Sequence, residues 1–207
     1  MRIQCCVQGR ADQIMYILFT GAPGSKWSSV CKNIYWSEDI DHSDYTEERT
    51  YSVETDTPGE KKVMHFGAYW DPGMEFTPTD WDGPFSGTGK RIIKCHTFAH
   101  ELEQLKTKGY PIVMCLRSDG GCIKWWTEAG AFNITYPNYQ YYRTRTMMWQ
   151  HIKRQNFDIK TFYHNNLDRI VELANNEELC KTLAIKYPKD TPIHDYKENN
   201  VRVFVYQ

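Results

Sequence analysis

IMYILFTGAPGSKWSS, residues Ile14–Ser29, sets an apolar run (Ile14 to Phe19) against Thr20 and then Gly21, Pro23 and Gly24 in quick succession. The pattern predicts a buried strand, a tight glycine turn, and a helix starting near Trp27 or Ser28. A turn of this kind aims several backbone N–H groups into one concavity at the positive end of a helix. Lys26 adds a mobile cation, and Ser25, Ser28 and Ser29 add hydroxyl donors. The stretch is read as a site for a phosphate-like anion; the competing reading is an ordinary βα turn with a solvated lysine.

The phosphate-loop pattern G-x-x-x-x-G-K-[ST] is not met. Gly21 and Gly24 stand too close, Ser25 separates Gly24 from Lys26, and Trp27 separates Lys26 from Ser28. An acidic residue to hold magnesium at the end of a later apolar strand is missing too, since the run Tyr110–Leu116 ends in Arg117.

The remaining chain alternates strand and helix patterns. Ser28–Trp36 reads as a helix and Asp39–Lys62 as an acidic surface excursion punctuated by Pro58-Gly59. His65–Lys90 mixes Gly, Pro, aromatics and the acids Asp71, Glu75, Asp80 and Asp82. A loop of that length is functional or disordered, and its aromatics argue against disorder; an acceptor-binding lid and an irregular loop packed over the sheet edge both fit. Arg91–Cys95 predicts a short strand, Thr97–Lys108 a helix stopped by Gly109, and Tyr110–Leu116 a strand buried on both faces. Arg117–Gly121 turns into an aromatic helix. A basic helix is expected over Tyr139–Gln155 with Arg143, Arg145, Lys153 and Arg154, then helices over Thr161–Asn175 and Asn176–Lys186 and a last strand Val201–Tyr206. The expected fold is α/β, a single domain with a mainly parallel sheet and a helical C-terminal half. In such sheets ligands bind at the carboxyl ends of the strands, where Gly21–Ser28, Lys94–His96 and Arg117–Ser118 all fall.

Composition bounds the function classes. The 207 residues suit one domain with a real core, 41% of them hydrophobic and 14% aromatic. Residues 1–14 are expected to be a disordered or misassigned extension, and residues 15–207 a single α/β domain. A net charge of −1 offers no global field for nucleic acid or a membrane surface. No apolar segment approaches the ~18 residues of a membrane helix. Seven scattered cysteines without C-x-x-C or zinc spacing point to a reducing cytoplasm.

Three short motifs resemble those of sulfotransferases that use 3′-phosphoadenosine 5′-phosphosulfate (PAPS). Gly21-Ala22-Pro23-Gly24-Ser25-Lys26-Trp27 is similar to the family's P-K-S-G-T-T-W loop: Gly24, Ser25 and Trp27 match, Ala22 stands at the family's lysine and Lys26 at its second threonine. Lys94-Cys95-His96 resembles the K-T-H segment of the cytosolic members, whose histidine is the general base. Arg117 matches an arginine that holds the cofactor's 3′-phosphate together with a serine some eight residues on, where this chain has Trp125. The family's C-terminal R-K-G-x-x-G-x-W loop is absent. The resemblance spans about Ile14 to Trp126; it implies a P-loop-type three-layer fold, and that residues 15–207 form a single sulfotransferase-like α/β domain.

It implies transfer of a sulfuryl group from PAPS to a hydroxyl or amine of a small-molecule or carbohydrate acceptor, leaving adenosine 3′,5′-bisphosphate. Gly21, Gly24, Ser25, Lys26, Trp27 and Ser28 would hold the phosphosulfate, and Arg117 and Ser118 the 3′-phosphate, with Lys124 or Thr127 as further candidates for the missing serine. Lys26 would neutralise charge on the departing bridging oxygen, and His96 would deprotonate the acceptor. No metal is required. A nucleotide-dependent kinase with a degenerate loop and a non-catalytic nucleotide-binding protein are the alternatives.

Overall fold

The computed structural model describes residues 15–47, 51–54, 61–65, 81–128 and 144–207. The apolar run of the opening stretch becomes strand β1 (Tyr16–Gly21), buried at every position. Helix α1 (Trp27–Tyr35) follows the turn. A separate antiparallel hairpin pairs β2 (Tyr51–Glu54) with β3 (Lys61–His65). Then come β4 (Arg91–Lys94), a 3-10 turn (His96–His100), α2 (Leu102–Leu105) and β5 (Ile112–Leu116). The chain finishes with α3 (Asp119–Glu128), α4 (Arg145–Asn165), β6 (Ile170–Leu173), α5 (Asn176–Thr182) and β7 (Arg202–Tyr206).

The five-stranded sheet has the order β4-β1-β5-β7-β6. β1 pairs in parallel with β4 and β5, while β7 runs antiparallel to β5 and β6. Alternation along β1 sends Ile17 and Phe19 to one face and Leu18 to the other. The first face packs Val113 and Val203 against Val30, Cys31 and Ile34 of α1 and Leu179 of α5. The second packs Met114 and Phe204 against Leu102 and Leu105 of α2 and Ile159 and Phe162 of α4. Two helical layers thus enclose the sheet, and the loops after β4, β1 and β5 open at one end. Among the described residues no helix is long and apolar enough to cross a membrane.

The α/β class and most elements agree with the sequence reading, with instructive departures. The sheet is mixed, because β7 returns antiparallel beside β5, and the C-terminal half contributes two strands as well as helices. Ile170–Leu173 is a strand where a helix was expected. Leu167, Ile170, Val171 and Ala174 imitate helical spacing, yet β6 is an edge strand whose Val171 and Glu172 face solvent, which blurs its period of two. The Thr97–Lys108 helix is broken at Glu101 (φ −119°), although Phe98, Leu102 and Leu105 still form its buried stripe and Gly109 (φ 74°) ends it. Helix α4 runs on to Asn165, its start fixed by Thr144, which accepts from the Met147 N–H at 3.1 Å. The Tyr139–Arg143 part of that expected helix lies outside the described residues, as do residues 1–14, Pro58-Gly59 and 66–80.

Within the Asp39–Lys62 segment, the described residues 39–47 are no simple surface excursion. Ile40 bridges Lys90 in parallel, and Asp41 and Asp44 are buried, Asp44 accepting from Tyr35 Oη at 2.6 Å. Of the expected lid, the described part packs on the sheet edge: Trp81 stacks edge-on against Tyr16 at 5.5 Å, and Phe85 is buried. Arg91 ties these pieces together, with Nε 3.4 Å from Asp41 Oδ2 and Nη1 2.5 Å from Asp82 Oδ1. Removing one member of a buried ion pair strands the other. Arg91→Ala is therefore expected to destabilise the fold by about 3–5 kcal/mol in urea unfolding.

Candidate functional site

β1 ends at Gly21, and the turn that follows is too tight for side chains at its glycines. A Cβ on Gly21 would stand 2.5 Å from Ser25 Oγ and 2.9 Å from the Cys115 carbonyl. Gly24 has φ 80°, and a Cβ there would meet the Cys122 carbonyl of α3 at 2.3 Å. The Ser25 N–H donates to the Ala22 carbonyl at 2.9 Å, closing the turn. Lys26 then adopts the left-handed conformation (φ 67°, ψ 11°) as the N-cap of α1 without supplying a side-chain cap. A non-glycine residue held there stores strain of the kind found at binding sites. The first N–H groups of α1 have no acceptor within the helix.

Ser25 is fully buried, and its Oγ has no hydrogen-bond partner among the described residues. A buried hydroxyl left so costs about 1–3 kcal/mol, a cost that an acceptor oxygen placed in the turn removes. The strained Lys26, the helix N-terminus and this hydroxyl are consecutive at the turn. Donors of this kind suit an anionic oxygen.

The flanking strands bring the other expected residues to the turn. Arg117, after β5, donates from Nη1 to the Gly24 carbonyl at 3.2 Å. On the other side, Lys94 at the end of β4 is buried with its Nζ 5.0 Å from the centre of the Trp27 ring. His96 meets the same indole edge-on at 5.7 Å. Trp27 thus stands between the turn and the Lys94–His96 pair, while Ser28 is half-buried in the first turn of α1. The three segments singled out in the sequence do converge.

Other assignments change. Lys26 Nζ donates to Asn199 Oδ1 at 3.1 Å, in the segment that leads into β7. Ser118 Oγ accepts from the Gly121 N–H at 3.1 Å and so caps α3. Lys124 lies 3.8 Å from Glu128, and the Thr127 hydroxyl donates to the Ile123 carbonyl, so α3 absorbs both candidates for the missing serine within itself. On α4, Arg145, Lys153 and Arg154 are solvent-exposed, with Arg154 paired to Asp158. Arg117 and Ser118 border a cleft of about 830 Å³ with Lys160, Lys197 and Arg202, at the carboxyl ends of β5 and β6.

Several supporting residues escaped the sequence reading. Gln155 Nε2 donates to the His96 carbonyl at 2.7 Å, and Thr20 Oγ1 to the same atom at 3.4 Å. Asn156 Nδ2 donates to the Arg117 carbonyl at 2.9 Å and to Asp119 Oδ1 at 2.6 Å. His151 faces His96, with ring centres 6.4 Å apart. His151 and Gln155 interrupt the buried stripe Met148, Ile152, Ile159 and Phe162, and polar residues on an apolar helix face were the available signal.

Burial, then the neighbouring His151, Lys94 and His100, holds the His96 imidazole well below its usual 6.5. Burial and then His100 lower His151 to about 4. Both rings are thus neutral at pH 7. Among the described residues no cluster of three His, Cys, Asp or Glu side chains is arranged for a metal ion. Among the described residues, Cys31, Cys95, Cys115, Cys122 and Cys180 are buried and form no disulfide.

Comparison with protein-family models, with curated proteins and with solved structures found no match. The functional reading rests on the geometry and on the motifs.

The depressed histidines fix a sign for pH dependence. Below pH 6.5 the unfolded chain binds protons that folded His96 and His151 refuse, so their effect lowers stability as pH falls from 6.5 toward about 4. In urea unfolding followed across that range, His151→Gln should flatten the loss; an unchanged slope would contradict the assignment.

Proposed function

We propose that this chain is a PAPS-dependent sulfotransferase acting on a hydroxyl or amine acceptor. The observation that carries the reading is the glycine turn after β1. Its buried Ser25 hydroxyl lacks an acceptor among the described residues, and the turn touches Arg117 on one side and, through Trp27, Lys94 and His96 on the other.

Each residue has a role that its position supports. Ser25 and the first N–H groups of α1 hold the anionic end of PAPS, and Lys26 adds a charge able to exchange Asn199 for a phosphosulfate oxygen. Arg117 offers its remaining N–H groups to the 3′-phosphate from the border of the cleft. The acceptor oxygen bonds to sulfur as the bond between sulfur and the bridging phosphate oxygen breaks. Negative charge then grows on that oxygen, where fixed donors and Lys26 stabilise it. The acceptor proton passes to His96, whose ring is neutral at pH 7 although burial and Lys94 make it a weaker base than a solvated imidazole.

Magnesium-dependent phosphoryl transfer is supported less well. The side chains flanking the turn at the ends of β4 and β5 are Lys94, His96 and Arg117, and the nearby acid Asp119 accepts from Asn156. A nucleotide-binding protein without catalysis would share the turn but show no transfer.

Incubation with [³⁵S]PAPS and a panel of phenols, sugars and lipid alcohols tests the reading. Label should move to one acceptor class, and His96→Gln should lower turnover about 10²–10⁴-fold, the usual contribution of a positioned base. The acid limb of kcat/KM should lie below pH 6.5, following the lowered imidazole. Unchanged turnover in both His96→Gln and Lys26→Ala would overturn the mechanism.

A further inference from the structure

His96 is buried, so a proton taken up there needs a way out. One side of α4 carries a file of titratable groups from this ring to the surface. His151 lies one helical turn before Gln155, which holds the His96 carbonyl. Its ring is edge-on to His96 at 6.4 Å between centres and 5.3 Å from His100. His100 closes the 3-10 turn that His96 opens, and its Nδ1 lies 2.6 Å from Asp158 Oδ2. Asp158 sits two helical turns beyond His151 and also accepts from Arg154 Nε at 3.1 Å.

Exposure rises along the file. His96 is 6% and His151 9% exposed, whereas the His100 side chain reaches 31%. His100 and Asp158 line a surface groove of about 340 Å³ between the 3-10 turn and α4. The other charged groups nearby are Lys94 on β4, beside His96, and Glu101, Glu103 and Arg154 around the groove. A positive charge is therefore least stable at the inner end, where burial and Lys94 oppose it, and best compensated at the outer end beside Asp158.

We propose that His151 and the His100–Asp158 pair form the path by which a proton taken up at His96 reaches solvent. The proposal rests on the reading of His96 as base. Imidazole binds a proton at one nitrogen and releases one from the other. The acceptor O–H or N–H proton bonds to His96, the opposite His96 nitrogen releases its proton to His151, and His151 passes one to His100. At these separations a bridging water carries the proton across each gap. His100, held by Asp158, releases a proton to water in the groove, and all three rings return to neutrality. His151, His100 and Asp158 are positioning residues that act on the chemistry only through His96.

The exchange of the His96 ring N–H with solvent, measured by ¹⁵N-edited saturation-transfer NMR on the full chain, reads this path without any acceptor. His100→Gln, at an exposed position, should slow exchange about a hundredfold, the lower range of a positioned acid–base group. His151→Gln should do the same, with backbone amide exchange in β1 and β5 unchanged. Equal exchange in wild type and His100→Gln would overturn the path. Titration of the same samples with adenosine 3′,5′-bisphosphate separates the two ideas: unchanged exchange in His100→Gln with binding intact defeats the relay alone, and absence of binding with slowed exchange defeats the sulfotransferase reading alone.

Discussion

The carboxyl end of β1 tolerates no Cβ, and much of the site depends on that exclusion. Gly21 lies against Ser25, Trp27 and the Cys115 carbonyl, and Gly24 lies against the backbone of Cys122. With glycine at both places the turn can fold back over β1, and α3 can close onto it. Ala22, Cys122, Met148 and Ile152 then form a small apolar cluster that brings α4 to the same end of the sheet. Arg117 reaches the Gly24 carbonyl because of this approach, and Lys26 is driven into its left-handed conformation.

Electrostatics and packing are joined around Trp27. Its indole contributes to the core with Ile17, Phe19 and α1, yet one side carries the Lys94 ammonium and an edge meets His96. Buried cations are costly, and a cation over an aromatic face recovers part of the lost hydration. α4 supplies the polar counterpart: Gln155 and Asn156, adjacent in sequence, hold the carbonyls of His96 and Arg117, the residues that follow β4 and β5. One helix thus sets the register of both flanks of the glycine turn.

Much of this was legible in the sequence, for physical reasons. β1, β5 and β7 are near-continuous apolar runs, the pattern of strands covered on both faces, and the Gly21–Lys26 punctuation marks a turn that few other contexts require. That the segments carrying Lys26, His96 and Arg117 lie at one end of the sheet followed from their places at strand ends. β6 was hidden because Leu167, Ile170, Val171 and Ala174 imitate a helix, and the antiparallel course of β7 because direction leaves no mark on a strand's composition. The supporting residues Asn156 and Asn199 were invisible for another reason, and His151 and Gln155 showed only as polar residues on an apolar helix face. Each acts through a partner far away in sequence, as in the Lys26–Asn199 bond across 173 positions.

The claim on which the rest stands is that the turn after β1 is an anion site with Ser25 as an unsatisfied donor. Calorimetric titration of adenosine 3′,5′-bisphosphate and of Mg-ATP into the wild-type chain and Ser25→Ala, paired with urea unfolding of both, tests it most directly. The account predicts bisphosphate binding that Ser25→Ala weakens about tenfold or more, as loss of a hydrogen bond to a charged group does. The same substitution should leave the free protein equally or more stable, because it removes a buried hydroxyl without a partner. Bisphosphate binding equal in both proteins, or binding of Mg-ATP alone, would contradict it.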